Sequence, residues 1–333
     1  MRAFRSTVLF LILASCGGST TAPGAATSPS TPTSPDNTQQ GCARTSVGLT
    51  PLTDLGAGGT YQGQRGGLYP SGSNTMPREH LSDGISLSIQ PRDPEGRPAA
   101  SGKYVFISIG MSNTTQEFST FKPMADADSL RNPSLVIVDG AQGGMTGTNW
   151  NNAGCSCWTT LDDRLRAAGV TAAQVATAWI KIADAGPSEG WPAHAQRLRD
   201  ETIGILQKLA TRFPNLRLAY LSSRIYAGYA TSNLNPEPYA YQSAFAVRWT
   251  IEQQLNGGLP FAGPGRAAPW VAWGPYLWAD GLTPRGDGLT WSCSDFANDG
   301  THPGSTGRQK VAARLLDFVH TDPTARQWYL ARP

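Results

Sequence analysis

The sequence predicts an α/β protein: a three-layer α/β/α sandwich on a central parallel sheet of about five strands, with a loop-rich N-terminal extension. Five short apolar runs are the first observation, because strands buried on both faces of a parallel sheet read as continuous hydrophobic stretches. The second is that amphipathic helical segments fall between those runs, which calls for crossover connections. The third is length. Of the 333 residues, roughly 290 remain after an N-terminal leader and a polar stretch, enough for one large α/β domain.

From the N-terminus, Met1-Arg2-Ala3-Phe4-Arg5 is a basic start, Val8 to Leu13 is an apolar core too short to span a bilayer, and Ala14-Ser15-Cys16 sets small residues before a cysteine. This order predicts a bacterial lipoprotein signal over residues 1–15. Cys16 would then be lipidated and the mature chain exported and anchored at the membrane. A plain secretion signal with a chance cysteine is the simpler alternative. Residues 16–41 carry Gly, Ser, Thr, Pro, Ala and Gln with almost no large apolar side chain. They bury too little surface to offset ordering entropy and are expected to form a disordered tether. Residues 42–100 are rich in Gly, Pro, Ser and Thr, as in Tyr61-Gln62-Gly63-Gln64-Arg65-Gly66-Gly67. Loops and short strands packed on the main domain, residues 101–333, are expected there.

Within that domain the expected strands are Tyr104–Ile109, Ser134–Val138, Val175–Ile182, Leu216–Leu221 and Pro269–Trp273. His194 to Phe213 places Leu198, Ile205, Leu209 and Phe213 at helical spacing among Arg197, Arg199, Asp200, Glu201 and Lys208, so one stripe faces a core. The same logic gives helices over Leu161–Ala168, Tyr239–Leu255 and Thr306–Phe318. Trp270, Trp273, Tyr276, Trp278 and Trp291 crowd the last strand and its loop and read chiefly as core or wall residues.

Removing residues 1–15 takes away Arg2 and Arg5 and no acid, lowering the formal charge from +3 to +1. No basic face then remains to attract nucleic acid. With Cys16 lipidated, Cys42, Cys155, Cys157 and Cys293 form an even set in an exported chain, which predicts disulfides. A Cys-x-Cys ring is tight, so Cys42 and Cys293 are each expected to bond one member of the Cys155/Cys157 pair. With only four histidines and no Cys-x-x-Cys, no metal-ligand spacing appears, and no cofactor is called for.

Two motifs carry the chemistry. Gly110-Met111-Ser112-Asn113 directly follows the first strand, and Asp299-Gly300-Thr301-His302-Pro303 precedes the last helix. A serine on a strand-ending turn is a nucleophile if a base takes its proton, and Asp-x-x-His supplies an imidazole with the carboxylate that orients it. The plainer readings are helix capping for Ser112 and Asn113 and turn chemistry for Asp299. Ser112, Gly143, the Ala183-Asp184 segment, Arg224 and the Asp299/His302 loop all fall where an open α/β sheet binds ligands, beyond its C-terminal strand ends.

Over roughly Lys103 to His320, these motifs resemble the SGNH superfamily of esterases, also called GDSL-like hydrolases. In that family the serine follows the first strand, a glycine the second, usually an asparagine the third, and Asp-x-x-His precedes the final helix. Gly-Met-Ser-Asn stands where most members have Gly-Asp-Ser and is closer to the Gly-Gln-Ser-Asn of the sialate and carbohydrate O-acetylesterase branch. The resemblance implies the flavodoxin-like SGNH fold, with Ser112, His302 and Asp299 as catalytic triad and the N–H groups of Ser112 and Gly143 as oxyanion donors.

Where the family's asparagine would fall stands Asp184, and an ionised carboxylate donates no hydrogen bond. Lys181, a protonated Asp184, a shift of the alignment by one residue, or weaker catalysis are the open alternatives. Asn113 and Arg224 are candidate substrate contacts, Arg224 for an anionic group or sugar hydroxyls. The expected function is hydrolysis of acyl esters, acetyl above all, on a carbohydrate or small ester substrate. A lipase or aryl-esterase with the same triad, and a catalytically weak scaffold that binds polysaccharide, are the alternatives.

Overall fold

A computed structural model describes residues 42–331. The signal at residues 1–15, lipidation at Cys16 and the tether at 16–41 fall outside the described residues. Five apolar runs form a single parallel sheet: β1 (Tyr104–Gly110), β2 (Leu135–Val138), β3 (Val175–Lys181), β4 (Leu218–Leu221) and β5 (Trp270–Trp273), in spatial order β2-β1-β3-β4-β5. Every residue of β1, β3, β4 and β5 is buried, which is why their sequences show no polar alternation.

The crossovers are α1 (Ser112–Asp126), α2 (Ser156–Ala167), α3 (Ala193–Arg212) and α4 (Tyr239–Leu255), and α5 (Ser305–Thr321) follows the last strand. α1 packs on α5 and α3 on α4. That pairing follows from the topology. Right-handed connections put α1, which leads outward from β1 to the edge strand β2, on the face opposite the helices leading from β2 towards β5. The order therefore reverses between β1 and β3, and the crevice beyond their C-terminal ends is where such sheets bind ligands. All five aromatics around the last strand are buried.

The N-terminal segment is more helical than its Gly/Pro-rich reading, with a four-residue helix at Leu52–Leu55. Besides a short hairpin (Thr60–Tyr61 with Gln64–Arg65) it holds a nine-residue helix, Arg78–Ser86. That helix lies along β5, where His80 Nε2 meets the Val271 carbonyl at 2.8 Å and the His80 ring stacks on Trp270 at 4.7 Å. It covers the backbone of an edge strand, a position that otherwise invites pairing with another chain.

The cysteine pairing corrects the expected one: Cys42 pairs with Cys293, and Cys155 with Cys157. Cys155 is extended and caps α2, and the turn from strand-like to helical backbone brings its Cα to 5.2 Å from that of Cys157. That separation is ordinary for a disulfide, so the short spacing is no bar. Peptide mapping of the non-reduced protein is expected to recover a Cys42–Cys293 cross-link and no link from either residue to Cys155 or Cys157. A crossed link would refute this pairing.

Candidate active site

The site is built at the end of β1, where the chain turns through Met111 straight into α1. Gly110 is required there. A Cβ on it would stand 2.3 Å from both the Lys181 carbonyl oxygen on β3 and Thr114 Oγ1. Ser112 is thereby the first residue of α1, with its N–H in the helix's first turn, where no intrahelical acceptor exists.

The second element is the loop before α5. Asp299 Oδ1 accepts the backbone N–H groups of Thr301 and His302, both at 3.0 Å, a local turn that aims the carboxylate at the imidazole three residues on. Gly300 makes it possible: its φ is +62°, and a Cβ would lie 1.9 Å from the Tyr229 carbonyl. Asn113 Nδ2 donates to the Thr301 carbonyl at 3.0 Å, tying the start of α1 to this loop. Asn113 is buried, and its amide serves that tie while also lining the cleft.

The two elements meet in one hydrogen-bonded line. Ser112 Oγ lies 2.8 Å from His302 Nε2, and His302 Nδ1 lies 2.5 Å from Asp299 Oδ2. A carboxylate can only accept, so Nδ1 carries the proton and Nε2 presents its lone pair to the serine hydroxyl. Burial would raise the Asp299 carboxyl, but the hydrogen bonds from the His302 ring and from the two backbone N–H groups outweigh it and hold the group below its ordinary value. Asp299 therefore stays ionised, able to orient the imidazole and to stabilise an imidazolium.

Around this line lies a cleft of about 240 Å³, lined by Met111, Ser112, Asn113, Gly144, Ala185, Arg224, Leu234, Asn235, Thr301 and His302. The loop after β2 is shaped by Ser108, whose hydroxyl accepts the N–H groups of Gly140 and Ala141 at 3.0 and 3.1 Å, and by Gln142, whose N–H reaches the Gly110 carbonyl at 3.0 Å. The N–H groups of Gly143 and Gly144 make no hydrogen bond within the described residues. Gly144, with φ +77°, is the one that lines the cleft, one residue beyond the expected Gly143.

Asp184 and Lys181 do not serve as expected. The buried Asp184 side chain points away from the cleft, with Oδ1 3.4 Å from the Thr148 N–H and Oδ2 3.4 Å from Arg197 Nη2. Lys181 is fully buried with Nζ 2.5 and 2.6 Å from the two Glu117 oxygens. Burial drives both members of that pair towards neutrality, raising Glu117 and lowering Lys181 to about 8.

A second amide in the cleft, beside Asn113, is Asn235, from the long loop after β4. Its Nδ2 donates to the Asp184 backbone carbonyl at 3.2 Å, and its Oδ1 is buried with no hydrogen bond among the described residues. Its sequence context, Ser232-Asn233-Leu234-Asn235-Pro236, carries only a turn signal and does not mark it as a site residue. His320, by contrast, sits in α5 with Nε2 2.6 Å from Asp128 Oδ2, outside this cleft.

Beside the cleft, Asp184 faces Glu201 of α3, and Asp184 Oδ2 and Glu201 Oε2 are both buried without a hydrogen bond among the described residues. Burial, and then the Asp184 charge, push the Glu201 carboxyl up from 4.5 to about 7. The folded state therefore binds more protons than the unfolded between those values, and this contribution to stability is lost as pH rises from about 4.5 to about 7. Glu201→Gln is expected to weaken that decline, checked by thermal unfolding of both proteins from pH 5 to pH 8. Equal pH slopes would refute the account.

No family model matches this sequence, and no curated protein matches it. Among solved structures it is similar to a Bacteroides fragilis NCTC 9343 protein described as a candidate acylhydrolase, with 12% identity and a TM-score of 0.37, covering 72% of this chain and 93% of that one. It is also similar to an acetyl esterase mutant with an acetate ion (12% identity, TM-score 0.37, covering 64% and 94%). A third is the periplasmic domain of a lipopolysaccharide acetyltransferase from Salmonella ser. Paratyphi A (14% identity, TM-score 0.37, covering 72% and 92%).

Proposed function

We propose that this protein is an exported, lipid-anchored serine esterase that removes short acyl groups, acetyl above all, from a carbohydrate. The observation that carries the reading is the continuous line Ser112–His302–Asp299 opening on a cleft. Export and anchoring are supported by the ordered pattern of Arg2, Arg5, Val8–Leu13 and Cys16.

Ser112 Oγ attacks the ester carbonyl while its proton passes to His302 Nε2, and the imidazolium is stabilised by Asp299. The oxyanion receives the Ser112 N–H, the Gly144 N–H and the second N–H of the Asn235 amide. Collapse breaks the bond to the alcohol oxygen, which leaves with the proton from Nε2 and an acyl group on Ser112. Water then attacks that acyl group with its proton going to Nε2. The carboxylic acid departs and Ser112 recovers its hydrogen. The Asp184 side chain is turned towards Thr148 and Arg197, so in this reading it sets no carboxylate beside the developing oxyanion.

The cleft of about 240 Å³ is smaller than the usual pocket for a drug-sized ligand, ~300–1,000 Å³, and favours short acyl groups over the long chains of a lipase. Residues 42–333 assayed against acetylated oligosaccharides and nitrophenyl esters of increasing chain length are expected to release acetate and to lose rate as the chain grows. A rate maximum at long chains would replace this reading with a lipase.

A further inference from the structure

The cleft contains a cation that the triad does not use. Arg224 follows β4 and is only 4% exposed. Its backbone is firmly held: the Arg224 N–H donates to Ser243 Oγ at 3.0 Å, the Ser223 hydroxyl accepts the Leu277 N–H at 3.3 Å, and the Ser222 hydroxyl accepts Trp179 Nε1 at 2.9 Å. The guanidinium is not. It makes no hydrogen bond or ion pair with any described residue, and its Nε is buried with no partner.

The carboxylates whose charge reaches it are committed elsewhere. Glu117 gives both oxygens to Lys181, and Glu237 accepts Trp278 Nε1 at 2.7 Å and the N–H groups of Ala227 and Tyr241 at 2.9 and 3.0 Å. The other two buried arginines have partners for their guanidinium groups, although the Nε of Arg248, like that of Arg224, makes no hydrogen bond among the described residues and lies 3.3 Å from Glu252 Oε1. Arg248 donates to the carbonyls of Arg65 and Gly66, and Arg285 grips Asp287 through Nε and Nη2 at 2.8 and 2.7 Å. A guanidinium stays charged in a protein, and a buried unpaired charge is costly, so such a group calls for an anion.

We propose that Arg224 receives a carboxylate of the substrate, so that the preferred ester is an acylated acidic sugar. The proposal rests on the esterase reading and names its substrate class. A carboxylate matches the guanidinium fork with two parallel hydrogen bonds and is the anion an acidic sugar carries, and Arg224 shares the cleft with Ser112 and His302. Arg224 is a binding residue here, holding the substrate body while the acyl carbon meets Ser112.

The test compares acetylated glucuronic acid with its neutral twin, acetylated glucuronamide. The wild type is expected to favour the acid about 10–100-fold in kcat/KM, the range of one charge-assisted contact. Arg224→Gln should bring that ratio to about one, and Arg224→Lys should keep part of it. A wild-type ratio near one, or an unchanged ratio in Arg224→Gln, would overturn the assignment. The wild-type ratio and the lysine variant decide the matter even if the glutamine variant fails to fold.

Calorimetric titration of the wild type with free glucuronate, glucuronamide and inorganic phosphate separates this proposal from the esterase reading, because it needs no turnover. Glucuronate is expected to bind more tightly than the other two. Phosphate binding as tightly as glucuronate would reject a carboxylate site in favour of a phosphate site.

Discussion

Ser112→Ala is expected to abolish ester hydrolysis while leaving the fold intact. The hydroxyl is half-buried at the cleft, and the hydrogen bond recorded for it is to His302. Its loss removes no core contact, and the tie from Asn113 to Thr301 remains to hold the loop. Removal of a triad nucleophile lowers turnover by ~10⁴–10⁶-fold. Steady-state rates on a short nitrophenyl ester, with circular dichroism and thermal unfolding of the same sample, check both halves of the expectation. Full activity in a folded variant would reject Ser112 as the nucleophile.

The second large effect concerns the base and its orienting acid. His302→Ala should cost nearly as much as loss of the serine, because the hydroxyl then has no acceptor for its proton. Asp299→Asn is the sharper experiment. An asparagine whose amide nitrogen faces Nδ1 donates where the aspartate accepts, which turns the imidazole to the tautomer with its proton on Nε2. That proton then faces Ser112, and a drop of up to ~10⁴-fold is expected. His320→Ala is the control, since its partner is Asp128 at 2.6 Å. Turnover equally damaged in His302→Ala and His320→Ala, with both folded, would reject His302 as the base.

What could be read from the sequence follows the range of the interactions that create each feature. The five strands announce themselves because burial on both faces removes polar residues from the run itself, and each observed strand lies within or close to its expected bounds. Asp299 and His302 are legible as a pair because one turn, closed by two backbone N–H groups on Asp299, brings them together. Asn235 is not, because its place beside Ser112 depends on the path of the whole loop after β4. Gly143 and Gly144 differ by a single residue whose exact facing is set by Ser108 and Gln142, contacts with no sequence signature. Arg78–Ser86 is hard to read because it is short and set in a Gly- and Pro-rich stretch, and the surface it packs on, Trp270 and Val271, lies far along the chain.

That helix also sets an order of events during synthesis. His80 and its acceptor Val271 are 191 residues apart, so the ribosome releases the cover of the last strand long before the strand exists. Until β5 emerges, the helix has no surface to complete, and a helix of nine residues is marginal alone in water. The sheet's far edge and its guard are thus made far apart in the translation run, and neither completes the other until β5 has emerged. Residues 42–100 therefore belong to the same cooperative unit as the sheet, and a gene fragment beginning at residue 101 would encode a β5 edge without its guard.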